Sequence, residues 1–261
     1  DEQGRVAAHT AFVQDAAARL KAQGVDVVIA LVPAKARVCE AHLGRYRLHD
    51  VDRYGAVRGS LLAAGLRVPD LLTTLQSDGG CDRHFLRTDT HWTPDGAAAA
   101  AAALVDALRA DGVLEGLPKT AFTTTREAPV ERSGDLLRYL PLGPLQKLGP
   151  APDQLSGSVT AMKESSGDLA DALFGDAGGP PVTLVGTSYS LDPAWNFSGA
   201  LKQALGADVL NLAREAGGPF APMIAYLSGP EIAEAPPQLV IWEIPERYLG
   251  VTYDLSSPGA S

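Results

Sequence analysis

Apolar positions along the chain follow two periods, one typical of helices and one typical of buried strands. Residues 6–21 place apolar side chains at helical spacing, whereas residues 25–32 form a continuous run rich in β-branched side chains. The first pattern predicts an amphipathic helix, and the second predicts a strand that is covered on both faces. The same patterns predict a helix over residues 54–64 and a short strand or strand–helix junction over residues 66–72.

The strongest helix signal covers residues 94–110. The Thr93 hydroxyl can cap the first turn, Pro94 suits the first helical position, and Asp95 favours the positive end of the helix dipole.

Regular alternation returns after residue 181. Helix–strand alternation is typical of a parallel sheet with helices on both faces, so we expect an α/β fold. We expect residues 1–261 to form a single domain, with residues 112–181 as an irregular insertion, rich in Gly, Pro, Ser and Thr, that could carry a hairpin or lid. The remaining predictions are strands at 182–185, 208–212 and 238–244 and helices at 195–205 and 219–227.

Length and composition exclude several classes of protein. The chain has 261 residues, is 46% hydrophobic and carries a net charge of −9, which is typical of a globular protein and argues against nucleic acid as a partner. No run reaches the roughly 18 uncharged apolar residues of a membrane span. Because the chain begins at Asp1 without an apolar leader, removal of a targeting segment is one interpretation of its start.

Residues 35–58 depart from this acidic balance, with six basic side chains against three acidic ones. They include Lys35, Arg37 and Arg47. The stretch is either a solvated surface or a wall that receives an anionic or hydroxyl-rich ligand.

Cys39 and Cys81 are the two cysteines of the chain. They lack the spacing of metal ligands. The sequence leaves open whether they form a disulfide in an oxidising compartment or stay as buried thiols.

Three residues with the chemistry of a serine nucleophile stand at the ends of predicted elements. Asp89 precedes His91 by two residues before the helix at 94–110, and Ser188 follows the strand at 182–185. A serine needs a base to remove its proton, and a carboxylate can fix the tautomer of that base. We therefore predict acyl-transfer chemistry, with Ser188 as nucleophile, His91 as base and Asp89 as the residue that orients His91.

Further polar groups are expected at the same edge of the sheet as Ser188. Gly217 and Gly218 come shortly after one predicted strand, and Arg247 and Tyr248 come after the last. In parallel sheets, ligands bind beyond the carboxyl ends of the strands.

Each triad residue also has a structural interpretation. Ser188 could be a turn serine, His91 could be structural, and Asp89 could stabilise a loop as an Asx turn. A metal held by His84, Asp89 and His91 would lack an obvious fourth ligand, so we predict no metal.

Five short motifs then carry a resemblance to a known family. They are Val32-Pro33-Ala34-Lys35-Ala36-Arg37, Asp89-Thr90-His91-Trp92 with Thr93-Pro94-x-Gly96-Ala97, Gly186-Thr187-Ser188-Tyr189-Ser190, Trp195-Asn196-Phe197, and Trp242-Glu243-x-Pro245-Glu246-Arg247-Tyr248. These motifs resemble the bacterial alginate O-acetyltransferases of the AlgX and AlgJ type, and the related proteins that acetylate bacterial cellulose. The resemblance covers residues 25–110 and 180–250, and residues 112–181 match less clearly.

The resemblance implies an SGNH-hydrolase-like fold of permuted order, in which the Asp-x-His segment precedes the serine. It also implies a periplasmic enzyme that acetylates an exported polysaccharide, alginate or cellulose. No cofactor is expected, because the acetyl group would come from a membrane-bound O-acyltransferase or a carrier within a secretion complex. Some relatives carry a carbohydrate-binding module after the catalytic domain, and the end of the chain at Ser261 favours the single-domain members or a trimmed catalytic part.

The resemblance also suggests groups that stabilise the oxyanion. The Gly217 or Gly218 N–H would join that of Ser188, and Arg247 or Tyr248 would donate to the oxyanion or hold the acceptor sugar. The alternative for the last two is a surface arginine and a packed tyrosine.

Sugar-binding residues can be proposed from the same motifs. Trp195 and Asn196 could offer a stacking platform and a hydrogen-bonding group to a pyranose ring, although Asn196 could equally cap a helix, and Trp92 is expected in the core. Lys35 and Arg37 are predicted to bind substrate.

We expect His91 to deprotonate Ser188, which takes an acetyl group, and then to deprotonate the sugar hydroxyl that attacks the acetyl-serine. Two other functions stay open: a carbohydrate acetylesterase with the same triad, and a non-catalytic subunit of a polysaccharide secretion complex. The sequence leaves open the polymer, the immediate acetyl donor and the oligomeric state.

Overall fold

A parallel sheet with the strand order β1-β6-β4-β5 lies at the centre of the computed structural model, which describes residues 1–46, 52–163, 179–215 and 217–256. Each neighbouring pair of strands in this sheet runs in parallel. This arrangement confirms the predicted α/β class. The strands are β1 (Asp26–Val32), β2 (Phe122–Arg132), β3 (Asp153–Met162), β4 (Val182–Val185), β5 (Val209–Asn211) and β6 (Leu239–Pro245).

Helices cover both faces of the sheet. They are α1 (Glu2–Ala22), α2 (Lys35–Val38), α3 (Arg53–Ala63), α4 (Leu71–Gln76), α5 (Gly80–His84), α6 (Pro94–Ala110), α7 (Ser188–Leu191), α8 (Phe197–Leu205), α9 (Phe220–Ser228) and α10 (Pro230–Glu234). Within the described residues, no helix is both long enough and apolar enough to cross a bilayer.

Alternate residues of β1 enter two different cores. Val28 and Ala30 pack with α6 and α8, whereas Ile29 and Leu31 pack with α1, α3 and α9. Because both faces of the strand are buried, its sequence is apolar at consecutive positions rather than at alternate ones.

The strand–helix junction predicted at 66–72 is a single parallel bridge followed by α4. Arg67 pairs with Val28 at the open edge of β1, and α4 begins at Leu71 with the Asp70 side chain accepting from Thr73 N. The N-terminus of α6 is capped as predicted, because the Thr93 hydroxyl accepts a hydrogen bond from Gly96 N.

The described part of the predicted insertion contains a long antiparallel hairpin of β2 and β3. Short 3-10 helices at Asp135–Tyr139 and Gly143–Leu148 connect the two strands. The hairpin packs against α8 and α6. Residues 164–178 of this insertion lie outside the described residues, as does Arg47 of the basic stretch.

A disulfide joins Cys39 to Cys81 and resolves the alternative that the sequence left open. Cys39 directly follows α2, and Cys81 lies in α5. The bond therefore ties together two short helices that have little hydrogen bonding of their own.

We expect reduction of this disulfide to lower the free energy of unfolding by about 2–4 kcal/mol, because it frees a loop with a sequence separation of 42 residues in the unfolded chain. Urea unfolding with and without dithiothreitol measures the effect. A double variant with Cys39→Ser and Cys81→Ser is the control, and its stability should not respond to the reductant. An equal response of both proteins would contradict the prediction.

Candidate active site

Ser188 lies on a tight turn at the carboxyl end of β4. The strand ends at Val185, and the Thr187 side chain then accepts a hydrogen bond from Tyr189 N at the start of α7. Thr187 and Tyr189 are buried, whereas Ser188 between them is partly exposed. The turn therefore presents the Ser188 hydroxyl at the edge where parallel sheets bind ligands.

The three side chains predicted to form a triad are brought together by the fold. His91 Nε2 lies 2.8 Å from Ser188 Oγ, and His91 Nδ1 lies 2.6 Å from Asp89 Oδ1. An ionised carboxylate only accepts hydrogen bonds, so the proton between Asp89 and His91 belongs to Nδ1. Nε2 is then free to accept the proton of the Ser188 hydroxyl.

Asp89 is ionised in this arrangement. Burial by itself would raise the pKa of the Asp89 carboxyl, but hydrogen bonds from the ring and backbone of His91 and from Asp135 N hold it well below its usual range. A fixed negative charge next to Nδ1 stabilises the imidazolium that forms when His91 takes the serine proton.

Lys35 supports the segment that carries Asp89 and His91. Its ammonium donates to the carbonyl oxygens of Leu86, Arg87 and Asp89 at 2.6, 3.1 and 2.8 Å. All three donors of the ammonium are used in this way. The backbone occupies these donors, and substrate binding by Lys35 stays a prediction.

Two carboxylates of the insertion hold the same segment from the other side. Asp135 accepts from Thr90 N at 2.8 Å and from the Thr90 hydroxyl at 2.7 Å, and Asp153 accepts from Thr88 N at 2.9 Å and from the Thr88 hydroxyl. The backbone of Gly134 approaches so closely that a Cβ there would lie 2.1 Å from the Thr88 carbonyl oxygen. The segment before His91 is thus clamped between Lys35 and the insertion.

Glu243 lies beneath the Ser188 turn and is fully buried. Its carboxylate accepts hydrogen bonds from Thr187 N at 2.7 Å, from the Thr187 hydroxyl at 3.1 Å and from the Ser190 hydroxyl at 3.0 Å. A Cβ on Gly186 would lie 2.5 Å from Glu243 Oε2, so glycine is required there. Burial raises the pKa of Glu243 to about 7, although these hydrogen bonds and the charge of Arg247 oppose the rise.

Trp195 is a support for His91 rather than a platform for sugar. The two rings stack with centroids 5.2 Å apart, and the Trp195 side chain is only 1% exposed. Asn196 directly precedes α8 with φ of 52°, and its amide donates to the Thr160 hydroxyl in β3. The burial of Trp195 leaves no exposed ring face for a sugar, and sugar contact by Asn196 stays a prediction. Trp92 lies in the core, as expected.

Arg37 has a structural role as well. Its guanidinium forms an ion pair with the buried carboxylate of Glu246 at 2.7 Å, and Glu246 also accepts from Ala34 N. This pair ties α2 to the end of β6, and substrate binding by Arg37 stays a prediction.

Gly217 and Gly218 lie in the turn before α9 with φ of 88° and 62°. No hydrogen bond among the described residues joins them to the Ser188 turn, so their role at the oxyanion stays a prediction. The loop after β5 reaches this turn through other groups, because Arg214 N donates to the Gly186 carbonyl and Asn211 Nδ2 donates to the Ser190 carbonyl.

The metal site considered from the sequence is not assembled. The His84 ring is buried and Nδ1 lies 2.9 Å from the Leu75 carbonyl oxygen, away from the triad. Ligand atoms of Asp89, His91 and Asp135 do lie within 4.8 Å of one another. Hydrogen bonds within the triad and to Thr90 engage those atoms.

Sequence reasoning missed Glu243, Asp135 and Asp153 as supports of the site. Glu243 carried a signal, because it is a charged residue inside an otherwise apolar strand. The two aspartates lie in the Gly- and Pro-rich insertion, where acidic residues are common and nothing in the pattern marks them.

Comparisons with known proteins agree with this geometry. Residues 1–246 match the family model described as the SGNH hydrolase-like domain of acetyltransferase AlgX. A probable alginate O-acetylase AlgJ from Pseudomonas putida is 46% identical over 242 residues, which are 91% of this chain and 62% of that protein. The probable alginate O-acetylase AlgJ from Pseudomonas aeruginosa is 43% identical over 256 residues, which are 94% of this chain and 65% of that protein. The chain thus spans less than two thirds of the length of these relatives.

Two solved structures extend the likeness to three dimensions. The O-acetyltransferase domain of Pseudomonas putida AlgJ superposes with a TM-score of 0.88 at 39% identity, covering 99% of this chain and 88% of that one. Pseudomonas aeruginosa AlgX superposes with a TM-score of 0.73 at 25% identity, covering 93% and 57%. The SGNH-like fold expected from the sequence motifs is confirmed.

Replacing Glu243 with Gln should remove a pH-dependent loss of stability. The pKa of this carboxyl is 4.5 in its ordinary state and about 7 in the fold, so the folded chain binds the proton more tightly, and wild type loses stability as the pH rises through this range. Glutamine cannot ionise. Urea unfolding measures the free energy of unfolding of both proteins at pH 5 and at pH 8. Between these two values, wild type should lose roughly 2–3 kcal/mol relative to Glu243→Gln. A difference that stays constant with pH would refute this.

Replacing Lys35 with Met should slow hydrolysis of an activated acetyl ester by roughly tenfold or more, because the carbonyl groups before His91 lose their donors and the base loses its position. The effect should fall on kcat rather than KM. Lys21→Met, at an exposed position of α1, is the matched control and should behave as wild type. Equal rates for all three proteins would show that Lys35 does not position the base.

Proposed function

This chain belongs to the AlgX family of SGNH hydrolase-like domains, and we propose that it transfers acetyl groups to hydroxyls of alginate through an acetyl-serine intermediate. The observation that carries the proposal is the continuous hydrogen-bond relay from Asp89 through His91 to Ser188, with distances of 2.6 and 2.8 Å. The relay supplies a nucleophile, a base and an ionised carboxylate in contact with one another. Alginate is proposed as the acceptor because the relatives are named as probable alginate O-acetylases.

The first half of the reaction acetylates the enzyme. His91 Nε2 takes the proton of Ser188 as Oγ attacks the acetyl carbonyl of the donor, and the resulting imidazolium is stabilised by Asp89. The Ser188 N–H is the expected oxyanion donor. When the tetrahedral intermediate collapses, His91 returns the proton to the leaving group and the acetyl group stays on Oγ.

The second half transfers the acetyl group to the acceptor. A sugar hydroxyl takes the place of the leaving group, His91 removes its proton, and the hydroxyl oxygen attacks the acetyl-serine. Collapse of the second intermediate releases the acetylated sugar and restores the Ser188 hydroxyl, with the proton delivered from His91. No cofactor enters either half.

The setting of this reaction is part of the proposal. We place the enzyme in the periplasm, with a membrane-bound O-acyltransferase or a carrier as the source of acetyl groups and other secretion-complex proteins as partners. The disulfide supports this location, because disulfides persist in oxidising compartments.

Ser188→Ala should abolish both the acetyl-enzyme and the acetylated sugar. The chain is incubated with an activated acetyl ester, with and without oligosaccharides of mannuronate and of glucose, and the protein and sugars are followed by mass spectrometry. Wild type should form an acetyl-serine at position 188 and then acetylated mannuronate. Ser60→Ala, at an exposed serine of α3, is the control and should retain both products.

The other outcomes separate the rival functions. Free acetate with no acetylated sugar would identify an acetylesterase. Acetylated glucose oligosaccharides in place of mannuronate would redirect the proposal to cellulose. Equal products from Ser188→Ala and wild type would exclude the serine mechanism and leave the non-catalytic role.

A further inference from the structure

Two arginine–tyrosine pairs with the same internal geometry lie beside the triad. Arg247 donates to the Tyr248 hydroxyl at 3.0 Å and its guanidinium carbon lies 4.8 Å from the centroid of that ring. Arg138 donates to the Tyr139 hydroxyl at 2.9 Å and lies 4.9 Å from that ring. In both pairs the adjacent tyrosine fixes one end of the guanidinium and leaves the other N–H groups for a further acceptor.

Arg247 is one ring away from the catalytic histidine. Its guanidinium carbon lies 5.1 Å from the centroid of the Tyr189 ring, and the His91 ring lies 4.7 Å from the same centroid. Tyr189 is buried and is held by its hydroxyl, which donates to the Thr90 carbonyl. The position of Arg247 relative to His91 is therefore set by a rigid group.

Arg138 reaches the site from the insertion. It lies in the 3-10 helix that begins at Asp135, whose N–H donates to the Asp89 carboxylate. Thr90 links the two arginines, because its carbonyl accepts from the Tyr189 hydroxyl and its N–H and hydroxyl donate to Asp135. Arg247 lies over the Tyr189 ring, and Arg138 lies three residues after Asp135 in the same 3-10 helix. The two pairs thus approach the triad from different parts of the chain.

Both arginines have guanidinium N–H groups that are available to bind an anion. Within the described part of the chain, neither forms a salt bridge, and Arg247 Nε is buried with no hydrogen-bond partner. The nearby Asp135 carboxylate uses both oxygens to accept from Thr90. A carboxylate of a ligand would accept from the remaining accessible N–H groups of the two guanidinium groups.

We propose that Arg138 and Arg247 together bind a carboxylate of the acceptor polysaccharide and so select a polyuronate over a neutral glucan. The inference rests on the proposed function, because it takes the acceptor to be the sugar that attacks the acetyl-serine. The planar guanidinium matches a carboxylate through two parallel hydrogen bonds, which a neutral sugar cannot form. The Tyr139 ring, which is 66% exposed, offers an apolar face to the pyranose beside it.

The experiment measures binding, because binding does not depend on the acetyl-transfer chemistry. Mannuronate oligosaccharides are compared with β-1,4-linked mannose oligosaccharides of the same length, which keep the ring hydroxyls and replace each carboxylate with a neutral group. Kd is measured by NMR titration for wild type, Arg138→Gln and Arg247→Gln. Arg109→Gln removes an exposed guanidinium that pairs with Asp106 at the far end of α6 and is the matched control.

Wild type should bind mannuronate at least tenfold more tightly than mannose oligosaccharides, which is the range of a hydrogen bond to a charged group. Each variant at Arg138 or Arg247 should lose most of this preference, whereas Arg109→Gln should keep it. Arg138 is exposed, so Arg138→Gln tests the proposal even if the half-buried Arg247 proves necessary for folding.

Equal binding of the two sugars by wild type, or mannuronate binding by Arg138→Gln that matches wild type, would overturn the proposal. An oxyanion role for Arg247 gives a different result, because Arg247→Gln would then slow ester hydrolysis with no sugar present and leave the preference between acceptors unchanged. That result would also overturn it.

Failure of the proposed function has its own signature. If mannuronate binds through the arginines but no acetyl group moves from Ser188, the acetyl-transfer proposal fails and the carboxylate site stands. If acetyl transfer proceeds equally to both sugars, the carboxylate site fails and the acetyl-transfer proposal stands.

Discussion

The hydrogen bond between Ser188 Oγ and His91 Nε2 is the interaction on which the rest of the site depends. It joins segments that are 97 residues apart in the chain, and a hydrogen bond of 2.8 Å tolerates little displacement at either end. Each end is therefore supported by ionisable side chains, of which Glu243 is buried and Lys35, Asp135 and Asp153 are partly buried, rather than by apolar packing alone. Glu243 holds the serine turn from below, and Lys35 with two carboxylates of the insertion holds the histidine segment.

These supporting side chains all act by forming hydrogen bonds with the backbone of loops. Each binds backbone N–H or C=O groups in a loop that has no ladder of its own, so each replaces hydrogen bonds that a helix or strand would have supplied. Loops carry the reactive groups because they lie at the edge of the sheet, but loops alone do not position atoms closely. Ionisable side chains position these loops, since hydrogen bonds to charged groups are stronger than those between neutral groups.

The apolar pattern of the sequence predicted the elements that pack on the central sheet. β1, α3 and α6 lie within one or two residues of their predicted ranges, because burial on one or both faces imposes a period that can be read directly. The hairpin of β2 and β3 lacked this signal, since most of the β2 side chains are exposed. The triad segments were found from local motifs. The role of Lys35 was not, because its partners are carbonyl groups far along the chain, and backbone carbonyls carry no signature in the sequence.

The clamp on the segment before His91 makes the insertion an integral part of the candidate active site. Asp135 and Asp153 lie outside the central sheet. Their hydrogen bonds nevertheless fix Thr88 and Thr90, on either side of Asp89. Excision of the insertion would keep Ser188, His91 and Asp89 in the chain and still remove the groups that position Asp89 and His91. Conversely, substitutions at Asp135 or Asp153 would act directly on this loop, whereas the buried side of the hairpin, where Leu155 packs with residues of the central sheet, belongs to the core.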